Sequence, residues 1–186
     1  KEISAAKAKG INPVAYTIAN DAISIIVHSS NPLNDISIQQ IKDIYTGKIK
    51  NWKVLGGPNL PIVVISRDVS SGTYEVFNEK VLASAKVEGS AQLLASNNAV
   101  LSAVSNTPGA IGYVGLGYVN ESVKLISVNK VIPSETTVKN GSYLLSRKLY
   151  MYTNGKAKGE VANYIGFIQS ERGQQIVQEQ GFINIR

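Results

Sequence analysis

Residues 61–77 read Pro61-Ile62-Val63-Val64-Ile65-Ser66-Arg67-Asp68-Val69-Ser70-Ser71-Gly72-Thr73-Tyr74-Glu75-Val76-Phe77, and their pattern decides the fold. The first five are apolar and largely β-branched, which predicts a short buried strand. After Thr73, Tyr74, Phe77, Val81 and Leu82 recur at helical spacing and share one face. Between strand and helix stands a tight polar turn, Ser66 to Thr73. A helix N-terminus presents unpaired amides and a partial positive charge. Arg67 adds a planar fork of donors that matches an oxyanion. Ser71 and Thr73 can donate hydroxyls, and Gly72 lets a ligand come close to the backbone. The turn is therefore a candidate for half of an anion-binding site. A plainer alternative stands beside it: Ser70 or Ser71 capping the helix, with Arg67 paired to Asp68 at the surface.

Outward from this unit, strand and helix signals alternate along the chain. Upstream, residues 1–9 have a short helical pattern ended by Gly10. Val14–Ile18 and Ala22–His28 read as two strands broken at Asn20-Asp21. Ser29-Ser30-Asn31-Pro32-Leu33 is a breaker and a place to cross between lobes. Ser37 caps a helix carrying Ile38, Ile41, Ile44 and Tyr45, closed by Gly47. Downstream, Gln92–Ala95 suggests a short strand, and Asn97 or Asn98 can cap a helix through Val100, Ala103 and Val104. Ala110–Val114 and Lys124–Val128 read as strands, Ser134–Lys139 as a short helix, and Tyr143–Tyr152 as strand-rich. Two helical stretches, about 158–168 and 170–180, close the chain. The alternation predicts an α/β architecture with largely parallel sheets. Breaks near 30–33 and 141–146 divide it into residues 1–32 and 143–186, forming one lobe from both ends, and a central lobe of 33–142.

Composition narrows the function. Hydrophobic residues make up 44% and charged residues 17% of the 186, a globular balance. No apolar run reaches the ~20 residues of a spanning helix. The absence of cysteine excludes disulfides and thiolate metal sites. The net charge is +6, and lysines such as Lys42, Lys48, Lys50, Lys53, Lys124 and Lys130 are scattered, so no basic block argues for nucleic acid, while the bias favours small anions. The first residue is Lys and no signal sequence is visible, as in a chain processed, trimmed or cut from something longer.

Catalytic patterns are missing. There is no Gly-x-Ser-x-Gly elbow, and Gly47-Lys48 lacks the rest of a phosphate loop. The glycines at 109, 112, 115 and 117 do not make a dinucleotide fingerprint and suit tight packing at a strand end. His28, the single histidine, ends an apolar strand far from Ser71, so a serine triad is disfavoured and no metal set forms. Asp21 reads as a turn residue in preference to one near an interlobe cleft, Asp43 as a solvated helix face, and Arg147 as a solvated strand end in preference to a cleft residue.

Several stretches together carry a resemblance. Ser66-Arg67-x-x-x-Ser71-Gly72-Thr73-x-x-x-Phe77 resembles the ligand loop of the phosphate-binding proteins of ABC phosphate transporters, the PstS type. Three more match in the same order: Ile41-Lys42-Asp43-Ile44-Tyr45-Thr46-Gly47-Lys48-Ile49-x-Asn51-Trp52, Pro108-Gly109-Ala110-Ile111-Gly112-Tyr113-Val114, and Tyr143-x-x-Ser146-Arg147-x-Leu149-Tyr150. The resemblance implies a two-lobed periplasmic-binding-protein fold (type II) that closes on inorganic phosphate. It implies phosphate contacts from Arg67, Ser71, Gly72 and Thr73, no cofactor, no enzymatic activity, ABC transporter membrane subunits as partners, and an extracytoplasmic location, with any lipid anchor on a segment outside this chain. Two departures bear on the turn: Ser70 stands where glycine is frequent, and Tyr74 where a basic residue is frequent. A third is larger. The family's leading segment, with its own phosphate loops, is not matched, so the lobe built from both chain ends is expected to be incomplete. Its apolar strand edges would then pair with a separate leading segment or a second copy, and phosphate binding by these 186 residues alone would be weak. The alternatives are a receptor for another tetrahedral oxyanion, such as sulfate or tungstate, and an interaction module on the same fold.

Overall fold

A computed structural model describes residues 2–186; Lys1, at the start of the first helical pattern, lies outside the described residues. In chain order the elements are α1 (Glu2–Ala8), β1 (Pro13–His28), β2 (Asp35–Ile36), α2 (Ile38–Tyr45), β3 (Val63–Arg67), α3 (Gly72–Phe77), β4 (Gln92–Leu94), α4 (Asn97–Asn106), β5 (Ala110–Gly115), β6 (Val123–Leu125), β7 (Ser127–Val128), α5 (Glu135–Lys139), β8 (Ser146–Asn154), α6 (Gly159–Gln169) and α7 (Glu171–Glu179). The chain divides into two compact units, Ala22–Ser146 and Lys1–Asp21 with Arg147–Arg186.

The Ala22–Ser146 unit is built on a sheet in the order β4-β3-β5-β1-β6. β3 runs parallel to both β4 and β5, whereas β1 is antiparallel to β5 and β6. The expectation of a largely parallel sheet is thus corrected to a mixed one. The polarity of a pair is set by partners far away in sequence, which local periodicity does not carry. Helices cover both faces. On one, Val100, Leu101 and Val104 of α4 pack with Ile26, Ile65, Ala110 and Val114. Gly112 makes this approach possible, since a Cβ there would stand 2.8 Å from Val104 and 2.9 Å from Val100. On the other face lie the buried Ile41, Ile44 and Tyr45 of α2 and Val76 and Phe77 of α3. Ser37 caps α2 through a reciprocal capping box with Gln40, whose side chain returns a bond to the Ser37 amide. Buried Trp52 ties the following loop down by donating from Nε1 to the Gly109 carbonyl at 2.9 Å.

β1 is one strand of 16 residues, not two broken at Asn20-Asp21. Its polar pair is satisfied across the chain, which removes the reason to turn. Asn20 exchanges backbone hydrogen bonds with Ile183 at 2.7 and 2.9 Å, and Asp21 pairs with Arg147 at 3.6 Å. That ion pair also corrects the assignments of Asp21 to a turn and of Arg147 to a solvated strand end.

In the unit of both chain ends, β8 pairs with β1. Ser170 closes α6 and opens α7, accepting from the Gly173 amide at 3.2 Å. Buried Gln174 donates to the carbonyls of Ile18 and Ile168 and accepts from the Ile185 amide, each at 2.9 Å, joining β1, the end of α6 and the C-terminal residues. Tyr150 and Tyr152 on β8 and Val161, Tyr164 and Phe167 on α6 are exposed.

Candidate anion-binding site

The β3–β5 ladder pairs Val63 with Ala110 and Val64 with Ile111. Beyond Val64, the end of β3 is paired with β4 alone, through Arg67 opposite Leu94. A crevice at the carboxyl ends of parallel strands is where α/β sheets place ligands. The amide of Arg67, which has left the β5 ladder, is not left unpaired. It donates to the Tyr113 hydroxyl at 3.1 Å, and the same hydroxyl is hydrogen bonded to Ser66 Oγ at 3.0 Å.

The tyrosine sits on a packed aromatic floor. Its ring stacks on Phe77 with centroids 3.9 Å apart and planes 4° from parallel, and Tyr45 tilts against Phe77 at 4.6 Å. Tyr45 Oη donates to the Ile65 carbonyl at 2.9 Å. Burial pushes the Tyr113 phenol up to about 12 and Tyr45 well above the ordinary tyrosine value. Both therefore act as neutral hydrogen-bonding groups at physiological pH.

Arg67 is 8% exposed, and its guanidinium is aimed by four contacts. Nε donates to the Leu94 carbonyl at 3.3 Å and Nη2 to the Ala95 carbonyl at 3.0 Å. Nη1 donates to Asn97 Oδ1 at 2.8 Å and, more weakly, to Thr73 Oγ1 at 3.5 Å. Guanidinium has five N–H donors, so one on Nη2 remains for a ligand. All four acceptors are neutral, and among the described residues no carboxylate lies within ion-pair distance. Asp68, the surface partner of the plainer alternative, turns instead to Ser70, accepting from its hydroxyl at 2.6 Å and its amide at 2.8 Å. These bonds, the hydroxyl's first and the nearby Arg67 charge last among the favourable causes, hold the Asp68 carboxyl below its ordinary value.

Ser71 does cap α3: its Oγ accepts from the Thr73 amide at 3.2 Å. Capping uses a lone pair, so the hydroxyl proton of Ser71 is still available, as is that of Thr73, which only accepts from Arg67. The cap and the anion site are compatible. Gly72 is exposed at the first position of α3, where its amide has no intrahelical carbonyl to bond. Arg67, Ser71, Gly72 and Thr73, all expected from sequence, therefore meet in one place, linked by the Arg67–Thr73 and Thr73–Ser71 contacts.

Two members were not expected. Asn97 reads in sequence as a helix cap, but Ser96 takes that role, accepting from the Ala99 amide at 3.1 Å. Asn97 Oδ1 is thereby free to hold Arg67, and it also accepts from the Gly115 amide on β5 at 3.4 Å. Tyr113 reads as one more core residue of an apolar strand. The only signal for either would be a Ser-Asn-Asn run offering more capping residues than one helix uses, and a phenol needing a partner when buried. His28 is elsewhere, its Nδ1 engaged with the Ser30 hydroxyl at 2.8 Å and amide at 3.2 Å. Among the described residues no acidic, histidine or cysteine cluster could hold a metal ion, and no helix is long and apolar enough to cross a membrane.

A family model described as a PBP superfamily domain matches residues 1–172. Curated relatives include the phosphate-binding protein PstS of Borreliella burgdorferi, 36% identical over 180 residues and covering 90% of this chain. The protein of the same name from Bacillus subtilis is 34% identical over 190 residues and covers 99%. The chain spans 64% and 63% of the length of these two relatives. Among solved structures, an ABC-type phosphate transport receptor from Vibrio cholerae superposes with a TM-score of 0.85 at 30% identity, covering 92% of this chain and 72% of that one.

Proposed function

The chain belongs to the PBP superfamily as a PstS-like member, and from that footing we propose that it binds inorganic phosphate and delivers it to an ABC transporter for uptake. One observation carries this reading beyond family membership. Arg67 is buried, aimed by four neutral acceptors, and keeps both its positive charge and one N–H for a ligand. A buried cation whose direct partners are all neutral, with Asp68 acting on it only through space, is costly to bury unless an external anion completes it. Beside it, the hydroxyls of Ser71 and Thr73 and the amide of Gly72 supply further donors. A donor-only surface of this kind favours a small, highly charged oxyanion.

In this reading Arg67, Ser71, Gly72 and Thr73 contact phosphate directly, and Asn97 and Tyr113 hold Arg67. The protein binds without transforming: Ser71 has the Thr73 amide as its neighbour rather than a base. Acceptors that recognise a protonated phosphate would come from a segment equivalent to the unmatched part of the relatives, on the same gene product, a separate chain or a second copy. Closure of two lobes on the anion would report occupancy to the transporter's membrane subunits. The site of action would be extracytoplasmic, with any lipid anchor outside these residues.

Isothermal titration calorimetry of the full-length gene product with phosphate, with sulfate as competitor, tests the proposal. Phosphate binding that sulfate does not displace is expected. Arg67→Ala should weaken it about 10- to 100-fold, because the one charge-assisted hydrogen bond left to the ligand is worth ~1.5–3 kcal/mol. Competition by sulfate would reassign the site to tetrahedral oxyanions in general. No binding with Arg67 intact would favour an interaction module on the same fold.

A further inference from the structure

Of the two side chains that meet the Arg67 guanidinium, Asn97 and Thr73, Asn97 makes the shorter contact. Leu94 and Ala95 contribute backbone carbonyls, which no substitution can ionise. Thr73 contributes a hydroxyl at 3.5 Å. The shortest contact, 2.8 Å, comes from a side-chain amide whose isostere is a carboxylate. The amide is itself fixed: it opens α4, the helix anchored to the sheet through Val100 and Val104, and it reaches the Gly115 amide on β5. Asn97 therefore orients Arg67 while leaving the guanidinium's full charge to whatever binds beside it. We propose that Asn97 is a positioning and specificity-determining residue: by holding Arg67 with a neutral acceptor it sets the site one positive charge higher, so that the dianion of phosphate is preferred over the monoanion. This rests on the phosphate reading given above.

Among the described residues, none of the other ionisable groups around the site touches the Arg67 guanidinium, although Asp68 feels its charge. α4 and β4 carry none. On β5 the phenol of Tyr113 stays neutral below about 12. From the side of the turn and α3 come Tyr74, the exposed Glu75 and Asp68, whose carboxylate is held by Ser70. A carboxylate at position 97 would be the sole acid in direct contact with Arg67. At a few ångströms in a partly buried site, one added charge shifts the affinity of an anion by a decade or more.

Asn97→Asp and Asn97→Ala separate charge from aim. Asn97→Asp keeps an acceptor in the same place and adds an attractive partner for Arg67, so the folded state should be no less stable by thermal denaturation. Phosphate calorimetry on the full-length gene product, at pH values below and above neutrality, then reads the effect. Wild type should bind more tightly on the alkaline side, where phosphate is mainly dianion. Asn97→Asp should bind at least tenfold more weakly on the alkaline side and lose that trend. Asn97→Ala should weaken binding while keeping the trend, since the charge survives without its aim. Affinity and pH trend of Asn97→Asp equal to wild type would overturn this inference and leave the phosphate reading standing. A wild type that binds no phosphate at either pH would overturn both.

Discussion

Tyr113→Phe isolates a single hydroxyl on which the site is hung. The ring, its stacking on Phe77 and its volume are kept, so no cavity opens. What is lost is the acceptor for the buried Arg67 amide at 3.1 Å and the partner of Ser66 Oγ at 3.0 Å. Ser66 retains only a long contact to the Arg67 carbonyl, at 3.4 Å. A buried donor left unpaired costs about 1–3 kcal/mol, so a loss of about 2 kcal/mol at neutral pH is expected. For a chain of this size that is roughly 6 °C in Tm. The same hydroxyl gives the effect a pH signature. Its value rises from 10.0 to about 12 on folding because burial penalises the phenolate. The stabilisation is fully present below the unfolded value and is lost as pH rises from there through the folded one. At about 1.4 kcal/mol per unit, wild type forfeits close to 3 kcal/mol over that window, which the phenylalanine variant does not. Denaturant melts of the two should therefore converge and cross between about pH 11 and 12. Buried Tyr143 titrates in both proteins and cancels in the difference, and Tyr45, raised chiefly by burial and secondarily by Tyr113, cancels in large part. A variant within about 0.5 kcal/mol of wild type at neutral pH, or a difference that stays constant up to pH 12, would refute the reasoning.

Gly112→Ala should cost about 1–3 kcal/mol in a denaturant melt, because its methyl would meet Val104 and Val100 below 3.0 Å. Since those residues belong to the helix that carries Asn97, phosphate affinity should fall as well; unchanged stability would show that α4 yields freely. Ser24→Ala should run the other way. Ser24 Oγ is fully buried with no hydrogen-bond partner among the described residues, so its removal should be neutral or stabilising by up to about 1 kcal/mol, and a clear loss in the same melt would reveal a partner.

The strand–turn–helix unit at residues 61–77 is legible in sequence because its determinants are local. A β-branched run, a capping serine and a helical apolar period each act within a few residues, and β3 and α3 follow from them, with β3 set two residues later so that it takes in Ser66 and Arg67. Ser71, Gly72 and Thr73 are legible for the same reason. What escapes is governed by partners distant in the chain. Asn20-Asp21 reads as a break until Ile183 and Arg147 arrive to satisfy it, after which β1 runs straight through. The antiparallel placement of β1 depends on residues 111–115 and 123–125, which no window around it contains.

The division has a consequence for the site. Arg67, Ser71, Gly72 and Thr73, legible in sequence, are those that would face the anion, whereas Asn97 and Tyr113, which hold Arg67, are not. Arg67 stands in sequence beside an aspartate, which leaves a neutralised surface pair open as the alternative to an anion site. In the fold Asp68 is taken by Ser70, 30 residues separate Arg67 from Asn97, and 46 separate it from Tyr113. Those long-range contacts give a buried cation whose direct hydrogen-bond partners are all neutral, with Asp68 close enough only to feel its charge. A change at Asn97 alone could end that neutrality while leaving the motif Arg67-x-x-x-Ser71-Gly72-Thr73 intact. On the phosphate reading proposed above, affinity for a given anion would not be a property of that motif by itself but of the motif together with the end of α4, where Asn97 meets Arg67.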